Sequence, residues 1–101
     1  MAVETAVKGE VVTAYLSGDI DHHSAAEMRE KIDRAVDCNL PSLLVLDFSG
    51  VSFMDSSGIG LIMGRYRNLL KLGAKMHVTG ASPQIKKVMD LAGMGRLTSI
   101  N

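Results

Sequence analysis

One short segment of the chain carries two adjacent serines beside a carboxylate, at a point where a strand pattern gives way to a helix pattern. The segment Asp55-Ser56-Ser57-Gly58 follows an apolar run that begins at Leu43 and precedes residues with helical spacing. Backbone N–H groups at a helix start point outward, and the helix dipole favours negative charge there. A phosphate on Ser56 would add about −1.5 to −2 charges without disturbing the fold. The chemistry that this pattern favours is phosphate acceptance that switches the binding of a partner.

Simple helix capping explains the same residues and is the stronger interpretation from spacing alone. Asp55 or one serine can cap the helix, but capping by one residue leaves the second hydroxyl without a role. Gly58, Gly60 and Gly64 follow in the same helix, where a glycine costs up to about 1 kcal/mol relative to alanine. We therefore expect close packing on the sheet, open access to Ser56 for a kinase, or both.

The remaining polar residues do not form a recognisable catalytic or metal-binding set. Adjacent histidines such as His22 and His23 do not share a helical face, and no Cys, His or carboxylate stands at ligand spacing. Neither Gly-x-Ser-x-Gly nor a phosphate-binding Gly-x-x-x-x-Gly-Lys-Ser/Thr motif is present. We expect no enzymatic activity, no metal and no cofactor, with Asp21 as a helix cap in a loop that could also contact a partner.

Composition limits the classes of partner. The 101 residues suffice for one hydrophobic core, so we expect a single domain over residues 1–101. Lys and Arg number 11 and so do Asp and Glu, which leaves no net field to attract nucleic acid or an anionic membrane. The lone Cys38 is interpreted as a small buried residue in a reducing cytoplasm. Neither a secretory signal nor an apolar stretch of membrane-spanning length is evident.

Strand and helix patterns alternate along the chain, which predicts an α/β layer structure with crossover connections. Strand patterns are apolar, β-branched or alternating, and helix patterns carry apolar residues three and four apart. Strands are predicted at Val11–Leu16 with a partner around Val3–Val7, at Leu43–Leu46, at Lys75–Thr79 and within Leu97–Ile100; helices are predicted at about His22–Asp37, from Ser57 to Gly73, and from Ser82-Pro83 to about Gly93.

Three details of this prediction concern burial and chain direction. The run Leu43–Leu46 is continuous enough to be covered on both faces, and a turn is predicted at Asp47–Gly50. The buried stripe of the second helix is predicted to exclude Arg65 and to contain Ile59, Ile62, Met63, Tyr66, Leu69 and Leu70.

Around the segment Asp55-Ser56-Ser57-Gly58 and at two earlier segments, the sequence resembles the STAS family of anti-sigma factor antagonists, most of all the sporulation type. The resemblance covers nearly the whole chain. It is carried by Gly18-Asp19-Ile20-Asp21-His22-His23-Ser24-Ala25, by Leu46-Asp47-Phe48, and above all by Val51-Ser52-Phe53-Met54-Asp55-Ser56-Ser57-Gly58-Ile59-Gly60 with Met63-Gly64-Arg65-Tyr66.

The resemblance implies a mixed sheet of four or five strands flanked by about three helices, and a phosphorylation cycle. An anti-sigma factor that is itself a serine kinase would use ATP to phosphorylate Ser56, and a serine phosphatase would reverse this. The unphosphorylated form would bind the kinase and release the sigma factor, without contacting nucleic acid. The family motif implies a partner surface around the acceptor, comprising Asp21, Asp55, Ser56, Ser57, Gly58 and Ile59.

The family pattern also includes a further C-terminal helix, which is absent or shortened here, and we expect the free chain to be a monomer. Two alternatives remain. The first is a receiver-like domain in which Asp47 accepts phosphate with the help of a metal, although no later strand ends in the lysine that such a site needs. The second is a STAS domain that is not phosphorylated and serves as a ligand-binding or scaffold module.

Overall fold

The computed structural model describes residues 3–101. Five strands form one sheet in the order β1-β2-β3-β4-β5, with β1 antiparallel to β2 and the other neighbours parallel. The mixed sheet with three helices confirms the predicted fold class. The elements are β1 Val3–Lys8, β2 Val11–Ile20, α1 His22–Asn39, β3 Leu43–Met54, α2 Ser56–Leu72, β4 Lys75–Thr79, α3 Pro83–Leu91, a 3₁₀ turn Met94–Arg96 and β5 Ser99–Ile100.

The helices cover one face of the sheet. Each crossover from β2 to β5 leads to the next strand in the same direction, so right-handed connections place α1, α2 and α3 on the same side. Alternate strand residues on that side are buried in a single core, among them Leu16, Leu46, Phe48 and Val78. The core is thus a layer between the sheet and its helices.

The opposite face of the sheet carries half-buried and exposed side chains. Leu43 and Val45 on β3 are half-buried, whereas Leu44 and Leu46 are fully buried. The prediction that this strand is covered on both faces is therefore wrong. A continuous apolar run could not distinguish full burial from one covered and one half-open face.

Strand β3 is much longer than predicted. It continues through Asp47–Gly50 to Met54 and pairs with β2 along its length, with register shifts near Tyr15–Ser17 and Gly18–Asp19. A Cβ on Gly50 would lie 3.0 Å from the carbonyl oxygen of Leu16. Gly50 thus marks a close approach of two strands at an irregular pairing, and the predicted turn there is wrong.

The predicted helix ends agree with the structure to within about two residues, and their capping is explicit. Asp21 and Asp55 are the N-caps of α1 and α2, and Ser82 caps α3, in which Pro83 occupies the first turn. Gly73 ends α2 with a left-handed φ of 69°, a conformation that glycine adopts without strain.

Two burial predictions fail at positions on or against α1. Arg65, expected on the outer face of α2, is 7% exposed, and its Nε lies 2.7 Å from Oδ1 of Asp33 on α1. The N–H does not point along that line, so the contact is an ion pair without good hydrogen-bond geometry. Burial lowers the pKa of Arg65, and the Asp33 charge opposes that shift. Cys38, expected to be buried, is exposed near the end of α1.

The apolar stripe of α2 is also shifted from the prediction. Leu61 is buried and Leu70 is 58% exposed, the reverse of the expected pattern at those two positions. Ile59, Met63 and Tyr66 are partly buried against the core, while Ile62 and Leu69 are fully buried, as predicted.

Candidate functional site

The predicted acceptor and the predicted second contact lie at the ends of two neighbouring parallel strands. Ile20 of β2 pairs with Met54 of β3, and each strand is followed at once by an aspartate. Because paired strands lie about 4.8 Å apart, Asp21 and Asp55 are close neighbours. The Asp55 N–H donates to the Ile20 carbonyl at 3.2 Å, which fixes the two chain turns to each other.

These strand ends project beyond the rest of the sheet. Pairing of β3 with β4 stops at Asp47 and Thr79, whereas pairing of β2 with β3 continues for several residues more. We call this two-stranded extension, residues 17–20 and 50–54, the distal ribbon. It carries both aspartate turns away from β4.

Asp55 is the residue that caps α2. Its backbone is extended, at φ −97° and ψ −167°, and its carboxylate accepts a hydrogen bond from the Ser57 N–H at 2.8 Å. The capping that spacing alone favoured is therefore present and falls on the aspartate. Neither serine hydroxyl is needed to cap the helix.

Ser56 is the first residue of α2 and its side chain is exposed, whereas Ser57 is half-buried. Ser56 Oγ stands where the free N–H groups of the helix start create a positive local potential. A negative group at Ser56 would therefore be favoured by the start of the helix, and the nearby Asp55 carboxylate would add to the negative charge of the local surface.

Gly58 is buried, and close packing accounts for the glycine at this position. A Cβ at this position would lie 2.1 Å from Cγ and 2.3 Å from Sδ of Met54. The end of β3 and the first turn of α2 therefore pack so closely that any side chain at position 58 would force the Met54 side chain to shift. The expected packing role is confirmed, and direct contact of Gly58 with a partner remains a prediction.

Gly60 and Gly64 lack such neighbours, since a Cβ on either would meet nothing within 4 Å. Both border an open groove of about 560 Å³ between the starts of α1 and α2. The groove has small residues along its sides and basic groups at its rim, and it is lined by His22, Ala25, Ala26, Arg29, Ser57, Gly60, Leu61, Gly64 and Arg65. Packing on the sheet does not explain these two glycines.

Asp21 begins α1 with a reciprocal capping box. Its carboxylate accepts from the Ser24 N–H at 2.9 Å, and the Ser24 hydroxyl oxygen accepts from the Asp21 N–H at 2.9 Å. The backbone hydrogen bond from Ser24 lowers the pKa of Asp21, although the side chain is exposed. Asp21 therefore presents a carboxylate near the Asp55 turn, and its lowered pKa favours the charged form.

One exposed apolar residue of this region was quoted in the motif but not predicted as a contact. Phe53, on the distal ribbon two residues before Asp55, is 54% exposed. Its signal in the sequence is the loss of alternation at Ser52-Phe53, where the inward-facing position passes to Met54. Because aromatic side chains are enriched in protein interfaces, we add Phe53 to the residues that could contact a partner.

Within residues 3–101, the structure does not bring together the groups that a receiver-like phosphoacceptor site or a metal site needs. Asp47 lies within β3, accepts from the Ser49 N–H at 2.8 Å and pairs with Thr79, while Lys75 stands four residues back along β4. The prediction that Asp47 lies at the end of a strand is therefore wrong. His77 contacts Ser99 on β5. Across residues 3–101, no three His, Cys, Asp or Glu side chains come together as a metal set.

No helix within the described part of the chain has the length and apolar character needed to cross a membrane.

Comparison with known proteins supplies the family. The model of the STAS domain matches residues 2–100. The anti-sigma F factor antagonist of Lysinibacillus sphaericus is 36% identical over 89 residues, which cover 88% of this chain and 76% of that protein. The chain belongs to the STAS domain family.

Solved structures give the same assignment. The unphosphorylated anti-sigma factor antagonist SpoIIAA superposes with a TM-score of 0.78 at 30% identity, over 99% of this chain and 87% of that one. The phosphorylated form of the Bacillus cell fate determinant SpoIIAA gives a TM-score of 0.78 at 32% identity, over 99% and 91%. Within the STAS family, this chain belongs with the anti-sigma factor antagonists.

Proposed function

We propose that this antagonist is a serine phospho-switch that acts on an anti-sigma factor with serine kinase activity. The unphosphorylated chain binds that kinase and releases its sigma factor. The kinase transfers the γ-phosphoryl group of ATP to Ser56: a bond forms from Ser56 Oγ to phosphorus, the bond to ADP breaks, and a base on the kinase takes the hydroxyl proton. A serine phosphatase hydrolyses the ester and completes the cycle in the cytoplasm.

The observation that carries this proposal is the division of roles at the start of α2. Asp55 caps the helix through Ser57 N–H, so the exposed Ser56 hydroxyl is free to react. The existence of a relative in phosphorylated and unphosphorylated forms at about one-third identity supports the same assignment.

The docking surface that we propose comprises the two aspartate turns, Phe53 and the groove between α1 and α2. Phosphate on Ser56 would stand directly beside Asp55 and next to the strand end that carries Asp21, where it concentrates negative charge on a face that an approaching partner must desolvate. Gly60 and Gly64 leave room for a partner backbone to approach closely. Binding is thus lost through charge and bulk rather than through refolding.

The acceptor is tested by incubation with the cognate kinase and ATP, followed by mass spectrometry of intact protein and peptides. We expect one phosphate on the wild type, none on Ser56→Ala and one on the matched control Ser57→Ala. Incorporation that persists in Ser56→Ala and disappears in Ser57→Ala would reassign the acceptor. A modification labile to hydroxylamine would indicate an acyl phosphate on Asp47 instead.

The docking surface is tested by affinity measurements with the same kinase. Ser56→Asp should weaken binding, whereas Ser56→Asn, which has similar size without charge, should weaken it much less. Phe53→Ala should cost about 1–2 kcal/mol of binding free energy if Phe53 is an anchor. The matched control is Leu91→Ala, because Leu91 is 80% exposed on α3. Equal losses of binding free energy for Phe53→Ala and Leu91→Ala would show that Phe53 does not belong to the docking surface.

A further inference from the structure

Strand β1 is an edge of the sheet, and its features match those of a strand that pairs with a second copy of itself. It runs from Val3 to Lys8 with five of its six residues exposed, and only Val3 is buried. It contains no proline, and its pairing with β2 proceeds without a bulge. Proline and bulges are two of the devices by which proteins usually block edge-to-edge pairing, and β1 has neither of them.

The hairpin geometry decides which backbone groups face outward. Lys8 pairs with Val11 across the two-residue loop Gly9-Glu10, and a pair that closes such a loop is hydrogen-bonded. Hydrogen-bonded pairs alternate along an antiparallel ladder. Lys8, Ala6 and Glu4 therefore bond to β2, and the N–H and C=O groups of Thr5 and Val7 point away from the sheet.

The charges on β1 select one register for an antiparallel partner of identical sequence. If Ala6 faces Ala6 of the second copy on a two-fold axis, Thr5 faces Val7, with all of their outward groups paired. Glu4 then faces Lys8 of the second copy, and Lys8 faces Glu4. Both contacts fall at non-hydrogen-bonded positions, where cross-strand side chains lie closest.

The neighbouring registers lack this complementarity. A shift of two residues in one direction sets Glu4 opposite Ala6, and a shift in the other sets Glu4 opposite Glu10, two like charges. A shift of one residue would bring inward-bonded groups opposite outward ones and is excluded by the ladder. Charge and hydrogen bonding thus agree on a single arrangement.

The helix-side face of β1 also has apolar surface to cover. Val7 is 49% exposed and borders a groove of about 580 Å³ between β1 and α1, lined by Val3, Glu4, Thr5, Val7, Lys31, Arg34, Ala35, Cys38 and Asn39. In the register above, Val7 of the second copy lies beside Thr5 on this same face, and its side chain extends over the groove.

We propose that the chain forms a reversible two-fold dimer through antiparallel pairing of β1 edges, centred on Ala6, which joins two five-stranded sheets into one. This proposal differs from the expectation of a monomer, and the experiments below decide between them. The contact is short, so the dimer should be weak and dependent on concentration and salt. The proposal rests on no assumption about Ser56, and Ser56→Ala should dimerise like the wild type.

The charge pairs are tested by sedimentation velocity over a concentration series at low salt. Glu4→Lys and Lys8→Glu should each raise the dissociation constant about tenfold, because each variant replaces two attractive contacts by two repulsive ones. An equimolar mixture of the two variants should recover association, since each now complements the other. Glu30→Lys, an equal charge change on exposed α1, is the matched control.

The register is tested by disulfide trapping in a Cys38→Ser background with oxidised glutathione as the oxidant. Ala6→Cys places two thiols on the axis at a Cα separation of about 4.5 Å, within disulfide reach, and should give a covalent dimer. Lys8→Cys lies off the axis, several residues from its own copy, and should not. Equal trapping at both positions would contradict the register.

The backbone contact is tested by two proline variants. Thr5→Pro removes an outward N–H and should abolish dimerisation with the circular dichroism spectrum unchanged, whereas Ala6→Pro breaks the ladder with β2 and should destabilise the fold. A wild type that stays monomeric at the highest attainable concentration would overturn the proposal. So would dimers insensitive to Thr5→Pro and to both charge reversals.

Discussion

Helices α1 and α2 begin in nearly the same way at adjacent strand ends, yet their first turns are built differently. Each has an aspartate N-cap in extended conformation, Asp21 and Asp55. Three residues later α1 has Ser24, whose hydroxyl returns to the cap backbone, whereas α2 has Gly58. The Asp55 N–H instead donates to the carbonyl of Ile20.

The difference separates a helix start whose serine hydroxyl is used in capping from one whose serine hydroxyl is exposed and does not cap the helix. In α1 the nearby hydroxyl is committed, because Ser24 also donates to the Asp19 carbonyl at 2.8 Å. In α2 the position that would close a capping box is a buried glycine, and the exposed hydroxyl of Ser56 lies outside the capping arrangement. At the start of α2, Asp55 caps the helix and Gly58 packs against β3, so the Ser56 hydroxyl is left exposed.

The largest expected effect comes from a side chain at the glycine that distinguishes the two starts. Gly58→Ala should destabilise the fold by about 1–2 kcal/mol, because the clash with Met54 exceeds the gain in helix propensity. Gly60→Ala should stabilise it by about 0.5–1 kcal/mol, since nothing lies within 4 Å of the new methyl group. Urea unfolding of both variants measures the contrast, and equal signs would contradict the packing account.

Removal of the two neighbouring serine hydroxyls should give unequal losses. Ser24→Ala breaks the capping box and should cost about 1 kcal/mol. Ser57→Ala should change the free energy of unfolding by less than about 0.5 kcal/mol, because the bond to Asp55 uses its backbone N–H. Thermal and urea unfolding of the pair test this, and a larger loss for Ser57→Ala would show that its hydroxyl supports α2.

A negative charge at Ser56 should be neutral or mildly favourable to folding. Ser56→Asp should gain about 0.3–0.5 kcal/mol relative to Ser56→Asn through the helix dipole, reduced by repulsion from Asp55. The comparison is made by urea unfolding at low and high salt, where the gain should shrink as salt rises. Marked destabilisation would mean that the modified form must rearrange.

The smallest effect concerns the Asp21 charge. Its folded-state pKa is lowered, so its stabilising contribution is complete above the unfolded-state value of about 3.9 and is lost as the pH falls through the lower folded-state value. Asp21→Asn keeps a capping side chain without the charge. The difference in Tm between wild type and variant should therefore narrow below about pH 4, and a constant difference would contradict the electrostatic origin.

Local patterns predicted the elements whose causes are local. The caps at Asp21, Ser82 and Gly73 and the spacing of α1 are set by residues within one turn of each other, and the structure confirms them. Strand β4 agrees with its prediction residue for residue. Such features depend on backbone preferences and near neighbours that the sequence displays directly.

Two of the errors have a different origin, since each depends on a residue far along the chain. Arg65 is buried because Asp33 of α1 stands beside it, 32 positions away in sequence. Gly50 looks like a turn residue but serves the close approach of β2. At the candidate site the members of the cluster were predicted from the motif, but only tertiary structure distinguishes the exposed Ser56 from the buried Gly58.

The hydrogen bond from Asp55 to Ile20 has a consequence for the timing of a regulatory signal. It ties the turn that holds the proposed acceptor to the neighbouring strand. Under the proposed function, phosphorylation of Ser56 would then change the binding surface without a slow rearrangement of that turn. Under the proposed function, the lifetime of each state would be set only by the enzymes that add and remove the phosphate. Regulation would then reside in their relative activities. The phosphorylated fraction of this chain would follow that ratio without any delay caused by the chain itself.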